Sequence, residues 1–323
     1  MKTEVKLDRS KISGIGNLKT VIAYLVMVLF FYILKPGYLG GSNIRTILIQ
    51  TALLGIIGSG MTLAMFTGGV DMSVGAVAGV STLAALYDVA YGDMPLVVGL
   101  LIGIGLAAGI GLINGFCVSQ LGVAPFVATL GTMFLAQGMQ YMFSDGGQAV
   151  SYGIPKAFTF FGAGSLGPIP MPIVIYLVVF IVLFVVTELT PAGRYFRGTG
   201  LNQFTSELSG VRIRLYTLLS YVICSLTAAI LGLVLCASQS YASPDHGSSF
   251  MMDSLLAVLL GKTLMNNKVS IYATAFGALF LRSFENGLSM IGLPVTLLNV
   301  CKGVLLVVVL LLTWFVGKNK GKK

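Results

Sequence analysis

Charge is scarce in this sequence. Its 323 residues hold 20 Lys and Arg and 11 Asp and Glu, which is 10% of the chain. Histidine and tryptophan each occur once. Apolar residues make up 56%, and adding the 41 glycines of 323 brings the share to about 69%, against roughly 45–50% in soluble domains. A soluble fold cannot bury that much apolar surface, whereas a bilayer solvates it. No metal or nucleophile constellation appears, and the single histidine, His246, in Ser243-Pro244-Asp245-His246-Gly247, reads as a solvated turn residue rather than a ligand. The four cysteines, Cys117, Cys224, Cys236 and Cys301, all fall inside apolar runs and form neither a disulfide framework nor a zinc pattern. They read as small packing residues. No catalytic constellation is present. The fragment Gly261-Lys262-Thr263 is not a phosphate-binding loop, because position 256, where that loop needs glycine, is Leu256. No polar stretch is long enough for a soluble domain, so any driving energy has to come from an ion gradient or from another polypeptide.

What is present is a series of apolar runs long enough to cross a bilayer, each about 20 residues. They fall at about 20–35, 44–66, 72–90, 95–118, 125–144, 171–188, 215–236, 252–266, 270–290 and 295–316. The first ends in Lys35-Pro36 without a small-residue cleavage pattern and is expected to be retained. The eighth is short, with an irregular polar left flank, and fits a re-entrant or broken helix as well as a full span. Ser42-Asn43 is expected to cap the second helix, and Pro125 and Pro172 fit a first helical turn. The fold class is therefore an all-α membrane protein, a polytopic bundle of about ten transmembrane helices. Its organisation is a basic segment 1–19, one transmembrane domain 20–316 and a basic tail 317–323.

The basic residues set the orientation. With the N-terminus inside and the spans alternating, the inner segments hold Lys2, Lys6, Arg9, Lys11 and Lys19, then Arg194, Arg197, Arg212 and Arg214. They also hold Lys262 and Lys268, then Lys318, Lys320, Lys322 and Lys323; the outer segments hold only Lys35, Arg45 and Lys156. This bias places both termini in the cytoplasm. It also explains the net charge of +9 without a nucleic-acid partner. The outer connection at about 145–171 and the inner one at about 190–214 are the two long ones, and each is a candidate docking surface.

Charges inside spans are costly and informative. Arg282 and Glu285 are three residues apart, on one face of the ninth span, and Lys302 lies in the tenth. They read as a structural ion pair or as groups facing a wet cavity; a proton-coupling role has no acid free of a nearby base. Gly105 with Gly109, and Gly111 with Gly115, place small residues one turn apart, for tight packing within the subunit or for a dimer contact. The junction Thr67-Gly68-Gly69-Val70-Asp71-Met72-Ser73-Val74-Gly75 reads as a sharp turn, with Asp71 capping the third helix at the positive end of its dipole.

That junction, following Gly60-Met61-Thr62-Leu63, resembles the ribose-type sugar permeases of bacterial ABC importers. Further stretches resemble the same family in the same order. They are Val123-Ala124-Pro125-Phe126-Val127-Ala128-Thr129-Leu130-Gly131, Thr190-Pro191-Ala192-Gly193-Arg194-Tyr195, Gly200-Leu201-Asn202, Leu208-Ser209-Gly210-Val211, Phe284-Glu285-Asn286-Gly287-Leu288 and Lys302. The resemblance implies a type II importer-like permease in the bacterial inner membrane, carrying no cofactor itself. ATP and Mg would sit on a separate ATP-binding subunit, and a periplasmic or lipid-anchored solute-binding protein would deliver a sugar or sugar-like solute. It implies that the inner loop docks the ATPase, with Arg194, Arg197, Asn202, Glu207, Ser209 and Gly210 on or near the contact. Gly68, Gly69, Asp71, Ser73, Asn114, Gln137, Gln140 and Asn286 are candidates for the translocation path or for structural turns. The chain departs from the family pattern at Phe204 and Thr205, where two alanines are usual, and across Gly261-Lys262-Thr263-Leu264-Met265-Asn266-Asn267-Lys268, where a glycine-rich stretch is usual. Both departures are on the inner side and point to a second, non-identical permease subunit, with a homodimer as the alternative. The competing function is an autonomous ion-coupled carrier, for which no internal repeat is visible. A non-transport scaffold has no positive feature.

Overall fold

The computed structural model describes residues 9–150, 152–265 and 268–320. Lys2, Lys6, Lys322, Lys323 and the pair Asn266-Asn267 lie outside the described residues. The helices are α1 (Arg9–Leu34), α2 (Gly41–Phe66), α3 (Val74–Tyr91), α4 (Leu96–Ser119), α5 (Pro125–Met142), α6 (Lys156–Ala163), α7 (Met171–Phe184), α8 (Pro191–Leu201), α9 (Gln203–Leu208), α10 (Ile213–Gln239), α11 (Ser248–Leu264), α12 (Ile271–Met290) and α13 (Val295–Lys320). A π-helical turn, Val185–Leu189, extends α7, and the two-residue strands β1 (Ser165–Leu166) and β2 (Ile169–Pro170) pair antiparallel. Helix is the one spanning geometry that satisfies every backbone group within a single segment. Each apolar run accordingly coincides with a helix to within a few residues, save the first and last, whose helices extend further. Among the described residues five helical stretches are long and apolar enough to cross a membrane: Gly41–Phe66, Val74–Tyr91, Leu96–Ser119, Met171–Leu189 and Ile213–Gln239. The region 252–266 lies mostly in α11, an unbroken helix that starts at Ser248.

Two capping expectations are corrected. Helix α2 starts at Gly41, so Ser42 and Asn43 lie inside its first turn. Asn43 instead donates from Nδ2 to the Tyr38 carbonyl at 2.8 Å. At α3 the N-cap position belongs to Ser73, and Asp71 precedes it by two residues. Pro125 and Pro172 do open α5 and α7.

The chain divides into two compact units: Leu48–Leu255, and the chain ends up to Ile47 and from Leu256. In the central unit α3, α4 and α10 pack at backbone distance. A Cβ placed on Gly103 would lie 2.3 Å from the Ser81 carbonyl, and one on Gly111 would lie 2.8 Å from Val222 Cα. Gly115 meets Leu218 in the same way. Gly105 and Gly109 have nothing within 4 Å of such an atom. One pair of small residues is thus consumed by packing within the unit, and the other lines an open apolar groove with Leu135 and Met139.

In the second unit Phe31 of α1 fills the space above Gly287 of α12. Tyr38 donates its hydroxyl to the Ser283 carbonyl at 2.8 Å, and Tyr24 and Ser283 share a 3.1 Å hydrogen bond. Helices α11 and α12 meet through Gly261 and Gly277, whose missing side chains admit the Ala273 and Ala257 carbonyls.

Candidate functional site

The 67–73 junction is a buried polar knot. Gly68 takes φ +86°, which makes the turn. Asp71 is fully buried. Its Oδ1 accepts from the Ser73 amide at 2.9 Å and from the Ser73 hydroxyl at 2.6 Å, an Asx-type bond in place of a helix cap. Asn114 of α4 donates to Ser73 Oγ at 3.0 Å, and Thr132 of α5 donates to Asn114 Oδ1 at 2.6 Å. Thr129 Oγ1 accepts from the Met72 amide at 3.1 Å, and Thr67 shares a 3.1 Å bond with Ser220 of α10. Burial pushes the Asp71 carboxyl up to about 6, while the hydrogen bonds from the Ser73 hydroxyl and amide pull the other way. Asp71 Oδ2 and the Tyr221 hydroxyl are buried without a hydrogen-bond partner. Of the path-or-turn candidates, Gly69, Asp71, Ser73 and Asn114 therefore converge in one network joining α3, α4, α5 and α10. Thr132, Ser220 and Cys224 belong to it as well. Their positions, at least 40 residues away along the chain, carry no local sequence signal.

The inner loop folds as two short helices with different duties. Helix α8 is clamped. Thr190 caps it through Ala192 N, Phe196 is buried against Tyr216 with ring centroids 5.1 Å apart, and a Cβ on Gly193 would collide with the Thr187 carbonyl. Arg197 pairs with Glu188, donates to the Thr187 carbonyl at 3.1 Å and stacks over the Phe66 ring at 4.7 Å. Its charge is used inside the chain, because the π-helical turn brings Glu188 beneath it. Helix α9 is free. Asn202 caps it, with Oδ1 accepting from Thr205 N at 3.0 Å. Gly210 ends the segment with φ +78°. Leu201, Phe204 and Leu208 are 86%, 72% and 75% exposed and form an apolar ridge. Arg194, Glu207, Ser209, Arg212 and Arg214 are exposed around it. Apolar residues at spacings of three and four inside a polar loop are the sequence signal of this ridge. A cavity of about 490 Å³ lies behind α9, lined by Thr67, Gly68, Pro125, Gly200, Gln203 and Thr217 among others.

At the opposite end of the central unit, Tyr91 donates to the Ala149 carbonyl at 2.9 Å and Val150 pairs with Ala242. Buried Gln140 donates to the Ala76 carbonyl at 3.1 Å and accepts from the Asp245 amide at 2.6 Å. Gln137 reaches Asp245 Oδ1 at 3.5 Å. His246 is half-buried beside Tyr241 rather than solvated, and burial lowers its pKa. In the other unit Arg282 and Lys302 both pair with Glu285, the lysine at 2.7 Å, and Asn286 exchanges amide hydrogen bonds with Asn43 at 2.9 Å.

A family described as branched-chain amino acid transport system / permease component matches residues 43–311. The ribose import permease protein RbsC of Bacillus subtilis (strain 168) is 31% identical over 317 residues, covering 97% of this chain and 98% of that protein. RbsC of Escherichia coli (strain K12) is 31% identical over 297 residues, covering 91% and 92%. The galactofuranose transporter permease protein YtfT of Escherichia coli (strain K12) is 34% identical over 283 residues, covering 86% and 81%. No solved structure matches.

Proposed function

The chain belongs to the branched-chain amino acid transport system permease-component family, and on that premise we propose that it is the membrane subunit of a binding-protein-dependent ABC importer for a sugar or sugar-like solute. It is a multi-pass membrane protein and a transport component, not an enzyme. The family works with an ATPase and a solute-binding protein. The observation that carries the reading is the exposed apolar ridge made by Leu201, the last residue of α8, with Phe204 and Leu208 of the six-residue helix α9, among Arg194, Arg212 and Arg214. A large aromatic exposed beside aliphatics, next to the clamped helix α8, is the chemistry of a protein-docking anchor. The partner that fits is the ATPase, presenting an apolar groove with an acidic rim, and bearing the ATP and Mg.

Charge polarity supports the orientation. The end of the central unit holding α8 and α9 carries Arg194, Arg197, Arg212 and Arg214. The other end carries Asp88, Asp93, Asp145 and Asp245, all exposed, and one cation, Lys156. By the positive-inside rule the α9 end is cytoplasmic, which agrees with ten spans, both termini inside and a bacterial inner membrane. The acidic end is then the face for the solute-binding protein. Phe204, Thr205 and the 261–268 segment favour pairing with a non-identical permease. Among the polar path candidates of the central unit, Gln137 is half-buried beside Asp245, whereas Asp71, Ser73, Asn114 and Gln140 are buried. The test is reconstitution of the complex purified through a tag on this chain. Uptake of labelled ribose, allose or galactofuranose should require both ATP and the binding protein, and mass spectrometry should find two permease species. Transport by the chain alone, driven by an ion gradient, overturns the importer reading, and a single permease species overturns the heterodimer.

A further inference from the structure

We infer that the backbone contact between Gly200 and the 66–68 turn is the point at which movement of α9 enters the transmembrane helices, so that Gly200 is a positioning residue for transport. The inference rests on the reading of α9 as the ATPase-docking element.

Helix α9 has a chain connection at each end, and its Ser206 lies beside Gly198 of α8. On one side Asn202, with extended backbone at φ −158°, joins it to α8, and on the other Gly210, at φ +78°, leads to α10. Behind it lies the 490 Å³ cavity, lined by Gln203 and Gly200 among others, so a push on Phe204 and Leu208 meets space at Gln203 and passes along the chain through Asn202 to the end of α8. There α8 meets α2 by two routes. Arg197 lies over the Phe66 ring, a side-chain contact that can slide. Gly200 meets main chain directly: a Cβ on it would lie 2.1 Å from the Phe66 carbonyl oxygen and 2.8 Å from the Gly68 amide nitrogen. From the other side, a Cβ on Gly68 would lie 3.7 Å from Gly200 Cα. Backbone against backbone cannot yield by a rotamer change, so displacement of Gly200 displaces the turn.

The turn leads on to the buried knot. Gly69 abuts the Tyr221 hydroxyl so closely that a Cβ there would fall 2.0 Å from it, and Thr67 is bonded to Ser220. Two residues on, Asp71 accepts from Ser73 at the start of α3; Ser73 in turn accepts from Asn114, and Asn114 from Thr132. A shift at Gly200 therefore reaches α3, α4, α5 and α10 together. A contiguous set of packed groups with two arrangements is the physical requirement for coupling between a docking site and a transport path. The glycine at 200 is needed for close approach, since it makes no positive-φ turn.

The experiment uses the complex purified through this chain and reconstituted in liposomes, with labelled ribose, allose and galactofuranose as uptake probes. Gly200→Ala should keep the ATPase subunit bound and hydrolysing ATP, while solute taken up per ATP falls about tenfold, within the range reported for substitutions along coupling networks. Gly198→Ala is the control on the same helix; its Cβ would meet only the rotatable Ser206 hydroxyl, and its uptake per ATP should be unchanged. Phe204→Ala should instead release the ATPase subunit. If Gly200→Ala transports with wild-type stoichiometry while Phe204→Ala releases the ATPase, the inference fails and the docking reading stands. If Phe204→Ala leaves ATPase binding intact, or if the wild-type complex takes up none of the probes, the reading beneath it fails and the inference falls with it. If Gly200→Ala does not accumulate, Gly68→Asn decides. Asparagine tolerates the left-handed backbone; its Cβ would lie in ordinary contact 3.7 Å from Gly200 Cα, and its amide group adds bulk beside that contact from the opposite side. Uptake per ATP should fall at least severalfold, and an unchanged ratio overturns the inference.

Discussion

Asp71→Asn separates the structural account of the 67–73 knot from one in which the carboxylate charge is used. In the folded chain Asp71 is fully buried, and its pKa stands at about 6 against an ordinary 3.8. A raised carboxyl pKa means that the neutral acid is the better guest. The associated stability is complete below the unfolded value near 4 and is lost as pH rises through 6. At about 1.4 kcal/mol per unit, the displacement of roughly two units costs at most about 3 kcal/mol when the group is fully ionised. About half of that loss falls between pH 5 and pH 7.5. Asparagine preserves the acceptor for the Ser73 amide and hydroxyl and places a neutral donor where Oδ2 now lacks a partner. One imperfectly placed amide hydrogen returns about 1 kcal/mol of the gain. The variant should therefore be more stable than wild type by about 2 kcal/mol at pH 7.5, an advantage that narrows by pH 5. Thermal melting of the purified complex between pH 5 and pH 8 reads this as a wild-type Tm that declines by a few degrees with rising pH and a variant Tm that stays flat. A variant less stable than wild type at pH 7.5, or one with the same pH slope, refutes the reading of Asp71 as a structural residue whose buried charge costs stability.

Three further outcomes are expected. Glu285→Gln removes the carboxylate that faces both Arg282 and Lys302 and should cost about 3–5 kcal/mol, seen as lost folded yield in detergent, whereas Lys302→Met, which leaves the Arg282–Glu285 pair, should cost less. Gly111→Leu should prevent folding because it drives α4 off α10, while Gly105→Leu, facing open space, should fold normally and act only on association between subunits, read by size-exclusion chromatography. A cysteine replacing Tyr152 should react with a membrane-impermeant maleimide on intact cells, and one replacing Leu208 only after permeabilisation, in a background lacking the four native cysteines; the reverse pattern overturns the orientation.

The ten apolar runs, Pro125 and Pro172 at helix starts, and the concentration of arginine in one connection were legible without coordinates. Each follows from local composition acting against a bilayer, where a helix satisfies its own backbone. The inner loop was legible as a docking surface from its length and polarity, and as the ATPase contact through resemblance; which of its side chains face outward was not legible. Arg197 is bound inward by Glu188 and Phe66, and the exposed ridge is formed by Leu201, Phe204 and Leu208. Asp71 has the composition of a helix cap, yet it turns to Ser73 because Asn114 and Thr132, brought by other helices, complete a network there.

By itself the sequence determined that this chain is a helical membrane protein, where its helices lie, which connections are basic and to which family its motifs belong. Those properties depend on hydropathy and charge taken one segment at a time. The tertiary structure alone decided which glycines are spent on packing. Gly105 and Gly111 have the same neighbours in kind, but one faces open space and the other the backbone of α10. It also decided that Gly200 lies against Gly68 and that Asp71 is buried without a partner for Oδ2. Such contacts depend on how helices far apart in sequence cross, and no window of the chain encodes that crossing.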